Sequence, residues 1–160
     1  MVMRVSKEEL VAVLSQFNPW WRDEVIADLP KWRRAAFREL HGWLTNPPAP
    51  RAVLISGARQ IGKTTLMLQA ADALLRDGVT PANILYATFD HPILKLAGID
   101  AVLEAWRERE PKADGPEYLF LDEAQFIRDW GTWVKHQVDF RKERRIAFTG
   151  SAMPLVEVGQ

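Results

Sequence analysis

The chain has 160 residues, with 21 Lys and Arg against 21 Asp and Glu, so its formal net charge is zero. That length supports one compact domain with a real core, and a composition 48% hydrophobic and 26% charged is globular rather than disordered. Neutrality removes the general electrostatic case for nucleic acid or an anionic membrane surface. The absence of cysteine removes disulfides, thiolate metal sites and cysteine nucleophiles. The N-terminus carries Arg4, Lys7, Glu8 and Glu9 too early for a secretory signal. No apolar run reaches the roughly 18–20 residues of a membrane helix. A soluble, cytoplasmic, one-domain protein is the expectation.

In chain order, Ser6 and Glu9 have the spacing of a capping box, and Leu10, Leu14 and Phe17 follow at helical intervals. Asn18-Pro19 ends that helix, because proline disfavours helical geometry in the residue before it. Pro30 suits the start of a second helix, with Trp32, Ala36, Leu40, Trp43 and Leu44 on one face. Asn46-Pro47-Pro48-Ala49-Pro50 is too proline-rich for helix or central strand. It reads as a linker, residues 46–50, closing a helical segment 1–50 before a core of residues 51–160.

Beyond it, Ala52–Ile55 is a short apolar strand, and residues 64–76 form a helix ended by Gly78. Residues 84–89 form a second strand, 100–109 a helix, 118–121 a third strand, 130–143 a helix with Asp129 as N-cap, and 146–149 a fourth strand. Strands alternating with helices, and strands without polar alternation, predict a three-layer α/β/α architecture around a parallel sheet.

Gly57-Ala58-Arg59-Gln60-Ile61-Gly62-Lys63-Thr64 fits G-x-x-x-x-G-K-[ST] between the first strand and its helix. Glycines permit the backbone angles of a loop wrapped around phosphate and let its N–H groups approach closely. Those groups and the helix N-terminus supply positive potential to an anion. Lys63 is then placed for the β- and γ-phosphates, Thr64 for Mg2+, and Thr65 for the α-phosphate. About 60 residues on, the third strand runs into Asp122-Glu123. Asp122 at a strand end can hold Mg2+ through water, and Glu123 can polarise a water attacking the γ-phosphate. Thr149 and Ser151, at the end of the fourth strand, can each sense that phosphate or orient the water, and the residues alone do not separate them.

Other constellations carry less. Arg141, Lys142, Arg144 and Arg145 read as a solvated helix end favoured by the helix dipole, with nucleic acid as the alternative. Arg59 reads as a solvated loop residue or a γ-phosphate contact. Trp20, Trp21 and Trp32 are core of the N-terminal helices or a stacking wall for adenine. His41, His91 and His136 have no ligand spacing. Asp90 is a turn residue or part of the site rim.

On these residues the chain resembles an AAA+ type P-loop ATPase. The stretches that carry the likeness are Ile55–Thr65, Leu119–Gln125 and Phe148–Ser151, together with Asn18-Pro19-Trp20-Trp21. More narrowly it resembles a bacterial and archaeal AAA ATP-binding family whose domain precedes a C-terminal domain of uncertain function. That family usually has Pro where Ala58 stands. The resemblance implies strand order 1-4-3-2, ATP rather than GTP, a fifth strand beside the first, a helical lid and an arginine finger. Only residues 152–160 follow Ser151, so the core is expected to stop before that strand and lid, leaving Ala52–Ile55 as an exposed edge.

The expected activity is Mg2+-dependent ATP hydrolysis coupled to a further domain or protein partner, with a homo-oligomer possible. The alternative is a nucleotide-operated switch with little turnover. A small-molecule phosphotransferase and a DExx-type helicase fragment fit less well, the first because of Glu123 and the second because it needs another motor domain.

Overall fold

Four apolar runs pair into one parallel sheet because none has a face to give to water. The computed structural model describes residues 5–49, 52–55 and 62–150. Among them β1 (Ala52–Ile55), β2 (Ile84–Thr88), β3 (Glu117–Asp122) and β4 (Arg144–Thr149) lie in the order β1-β4-β3-β2. All three pairings are parallel. Every residue of β3 is buried, as are the first four of β2, as expected of a parallel sheet covered on both faces. Registers Thr88↔Asp122, Leu121↔Phe148 and Ile55↔Thr149 bring the carboxyl ends of all four strands to one side. The loop after β1 and the acidic end of β3 therefore meet there.

Among the described residues six α-helices flank the sheet: α1 (Lys7–Phe17), α2 (Ala35–Thr45), α3 (Lys63–Arg76), α4 (Pro92–Ala97), α5 (Ile99–Arg109) and α6 (Trp130–Phe140). The capping box at Ser6 and Glu9 is formed, and α1 buries Leu10 and Leu14. Gly78, at φ 94°, follows α3, and Val79 N–H returns to the Leu74 carbonyl at 3.0 Å.

Four expectations change. The second helix begins at Ala35, not Pro30, and its buried face is Phe37, Leu40 and Leu44, while Trp32 and Ala36 lie in solvent. The cause is Gln69 of α3, whose Nε2 donates to the carbonyls of Pro30 at 3.0 Å and Trp32 at 2.9 Å and holds that segment out of the helix. Helix α4 was not foreseen; His91 Nδ1 accepts from Ile93 N–H at 3.1 Å and caps it. Asp129 occupies the N-cap position of α6 in a left-handed conformation, φ 53°, but its side chain makes no cap bond. α6 stops at Phe140, so Arg144 and Arg145 belong to β4 and are not a solvated helix end.

Those two arginines bind inward. Glu117, with 1% of its side chain exposed, accepts from Arg144 Nε at 3.3 Å and from Arg107 Nε at 2.9 Å, and it also pairs with Arg107 Nη2. Arg144 Nη1 donates to Gln137 Oε1 at 2.6 Å. Burial holds the Arg144 guanidinium below its ordinary pKa, against the opposing pull of Glu117. Arg145 Nη1 bonds the Leu44 carbonyl and lies 3.3 Å from Tyr118 Oη. Arg141 remains outside, paired with Glu143 at 2.9 Å.

At the β2 edge, Asn18 acts as a piece of neighbouring backbone. Its Nδ2 donates to the Tyr86 carbonyl at 2.8 Å and its Oδ1 accepts from Tyr86 N–H at 2.7 Å. Trp20 Nε1 and Trp21 Nε1 both donate to the Ile84 carbonyl at 3.0 Å. Asn18-Pro19-Trp20-Trp21 thus satisfies edge groups that would otherwise template another strand.

Glu117→Ala leaves two guanidinium groups without their shared carboxylate at the base of the sheet. Denaturant unfolding should show a loss of about 3–5 kcal/mol, whereas removing the exposed partner Glu143 should cost less than about 1 kcal/mol.

Candidate functional site

The phosphate-loop motif enters the described structure at its last glycine. Gly62 heads α3 with φ 68°, a left-handed conformation that a side chain resists. Among the described residues a Cβ there would meet nothing nearer than Thr65 Cβ at 3.7 Å, so the backbone angle is what these neighbours show to require glycine. Gly57, Ala58, Arg59, Gln60 and Ile61 lie outside the described residues, as does Ser151.

Lys63, Thr64 and Thr65 form the first turn of α3, which contains no acidic residue to compensate its positive end. Among the described residues Lys63 Nζ has no hydrogen-bond or ion-pair partner. Thr64 Oγ1 donates to Asp122 Oδ2 at 2.6 Å, joining the two motifs across 58 positions of sequence.

Asp122 is the hub of this end of the sheet. It is 4% exposed and closes β3. Besides Thr64, its Oδ2 accepts from Tyr86 Oη of β2 at 2.7 Å, and its Oδ1 accepts from Thr149 Oγ1 of β4. The Thr149 oxygen in turn accepts from Glu123 N–H at 3.0 Å. Thr149 is fully buried and spends its hydroxyl between the two acidic residues, which makes it a group that orients Asp122 and Glu123.

Glu123 sits at φ 54°, unusual for a residue with a side chain, directly after the strand. Its Oε2 accepts from Gln125 Nε2 at 2.6 Å, and its Oε1 has no partner among the described residues.

Tyr86 was missed in the sequence. Burial first, and the adjacent Asp122 charge second, push its hydroxyl pKa far above the ordinary tyrosine value, so the phenol keeps its proton and acts as a hydrogen-bond donor to Asp122. The signal was a lone tyrosine inside the apolar strand Ile84–Thr88, but its meaning depended on β2 lying beside β3.

The remaining candidates separate cleanly. Trp20 and Trp21 are buried against β2, while Trp32 is 64% exposed, with the Arg34 guanidinium 5.8 Å from its ring. Arg34 Nη2 stands 3.8 Å from the position of a Cβ on Gly62. Asp90 accepts from Thr88 Oγ1 at 2.6 Å in the turn after β2. His41 faces Asp77 at 2.9 Å, His91 caps α4, and the His136 ring lies tilted against Phe140 at 4.9 Å. No group of three or more His, Asp or Glu side chains gathers among the described residues in a way that would cage a metal.

A parallel sheet in the order β1-β4-β3-β2, with G-x-x-x-x-G-K-T between the first strand and its helix, defines a nucleotide-binding protein of the P-loop NTPase class. The chain belongs to the AAA domain family, whose model matches residues 49–158. It is similar to an uncharacterized protein of Haemophilus influenzae, 32% identical over 102 residues, which cover 61% of this chain and 24% of that protein. The chain thus spans about a quarter of the length of the curated relative it matches. No solved structure matches it. Among the described residues no helix is long and apolar enough to cross a membrane.

Gly62→Ala should lower stability by about 1–2 kcal/mol through left-handed strain alone. An equal loss for Gly62→Asn, a residue that tolerates this conformation, would show that φ is not the cause.

Proposed function

We infer that this chain binds ATP with Mg2+ and hydrolyses it. The observation that carries the reading is the 2.6 Å contact from Thr64 Oγ1 to Asp122 Oδ2, which brings a helix-start hydroxyl and a strand-end carboxylate together beside an uncompensated helix N-terminus. Hydroxyl and carboxylate oxygens are the hard donors Mg2+ prefers, and among the described residues no cage of three or more acidic or His side chains surrounds the site, so phosphate and water would supply further ligands. When bound, Mg2+ neutralises charge on the β- and γ-phosphates.

The protein supplies the rest. Backbone N–H groups from Gly57 to Thr65 hold the phosphates, and Lys63 adds a point charge at the β- and γ-oxygens. Thr64 and Asp122 fix the cation side. Glu123 Oε1 accepts a proton from the water that attacks the γ-phosphorus, while ADP leaves with the bridging oxygen. Gln125 and Thr149 hold Glu123 for that step.

The polarity of the nucleotide follows from the two flanks of the first turn. Thr64 faces Asp122, which is the γ-phosphate side. Gly62 has Arg34 beside it, whose guanidinium lies 5.8 Å from the exposed ring of Trp32. The nucleoside therefore lies over Trp32, the one of the three candidate tryptophans not buried in the core. Hydrolysis is coupled to a protein partner or a further domain; the alternative is a switch in which ATP occupancy, without turnover, is the signal.

Lys63→Ala should weaken ATP binding about 10- to 1,000-fold, measured by calorimetry. Glu123→Gln should retain binding and lower phosphate release about 100- to 10,000-fold. If the wild-type chain binds ATP but releases no more phosphate than Glu123→Gln, it acts as a switch without turnover. Trp32→Ala should weaken ATP about 5- to 100-fold while leaving inorganic triphosphate unchanged.

A further inference from the structure

The motif residues leave one strong interaction at this site unassigned. Tyr86 Oη reaches 2.7 Å from Asp122 Oδ2, the same oxygen that Thr64 approaches at 2.6 Å. Asp122 has two carboxylate oxygens and three hydroxyl neighbours, one from each of α3, β2 and β4. A cation beside Thr64 takes a lone pair of that hydroxyl and leaves its O–H free to go on donating to Asp122. Tyr86 and Thr149 approach the same carboxylate from the strands on either side. Together they fix where the carboxylate points.

Tyr86 is itself held with unusual directness. Among the described residues it lies on the edge strand of the sheet, with a strand on one side only. Asn18 fills the other side, accepting from Tyr86 N–H at 2.7 Å and donating to its carbonyl at 2.8 Å, and it is anchored by a third bond, Nδ2 to the Leu14 carbonyl at 2.7 Å. Asn18 is fully buried, so none of these bonds competes with water. The Phe17 ring lies 6.0 Å from the Tyr86 ring. A continuous path runs from the end of α1 through Asn18 and Tyr86 to the Asp122 carboxylate.

We propose that Tyr86 is a positioning residue for the divalent cation: its hydroxyl fixes the Asp122 carboxylate in the orientation that serves the metal, and Asn18 holds Tyr86 in place. This rests on the Mg2+–ATP reading above. Groups that hydrogen-bond a metal-facing carboxylate commonly change metal affinity about 10- to 100-fold when removed. Packing alone would not produce that effect, since Phe preserves the ring and its neighbours.

The test uses Mn2+ as a paramagnetic probe. Free and bound Mn2+ are separated by electron paramagnetic resonance at saturating ATP with the wild-type chain, Tyr86→Phe and Asn18→Ala. Cation-free ATP affinity is measured in parallel in chelator. Tyr86→Phe is expected to raise the half-saturating Mn2+ concentration about tenfold or more, with cation-free ATP affinity within twofold of wild type. Asn18→Ala, which leaves the phenol in the chain, is expected to shift Mn2+ in the same direction by a smaller factor.

An unchanged Mn2+ midpoint in both variants, with ATP-dependent Mn2+ binding intact in wild type, overturns the positioning role and leaves the ATPase reading standing. A shift in Tyr86→Phe alone overturns the part assigned to Asn18. No ATP-dependent Mn2+ binding in wild type overturns the Mg2+–ATP reading, and this inference with it.

Discussion

A carboxylate buried at the end of a strand is tolerated only where hydrogen-bond donors replace the water it has lost. Asp122 meets that condition with three hydroxyls, from Thr64 at the start of α3, Tyr86 in β2 and Thr149 in β4. Each comes from a different element, so satisfying one carboxylate fixes the helix start and the strands on both sides of β3 relative to one another. The same constraint carries the chemistry. The group that holds this end of the sheet together is the group proposed to face Mg2+, and Glu123 is joined to it through the Thr149 oxygen bound to both.

The opposite end of the sheet is organised by a second buried carboxylate under different rules. Glu117 is matched by the charges of Arg107 and Arg144 instead of by neutral hydroxyls. A paired ion cluster at the strand starts can be closed and permanent, because nothing has to bind there. At the carboxyl end the partners of Asp122 among the described residues are uncharged hydroxyls. Two acidic residues at the two ends of one strand thus have opposite roles, set by whether arginines or hydroxyls surround them.

Much of this was legible in the chain itself. The capping box at Ser6, the β1 boundaries and the helix ended by Gly78 rest on local chemistry, and they appear in the structure within a residue or so. The misses share a cause. The start of α2 was displaced because a distant glutamine, Gln69, claims the carbonyls of Pro30 and Trp32. Arg144 looked like a solvated cation until its strand brought it against Glu117. Tyr86 looked like one more apolar strand residue until β2 was placed beside β3.

The phosphate-loop spacing, the lysine and threonines after it, and the acidic pair at 122–123 stand out in the sequence because each is a pattern of residue types along a continuous stretch of backbone. Local spacing determines what such a loop can hold. What only the tertiary structure decided is how the pieces support one another: Thr149 as the bridge between Asp122 and Glu123, Tyr86 as a third hydroxyl, Asn18 as a substitute for a missing strand. Those relations join positions up to 68 residues apart. Hydrogen bonds reach only about 3 Å, so they exist only once the parallel sheet has set its order and register.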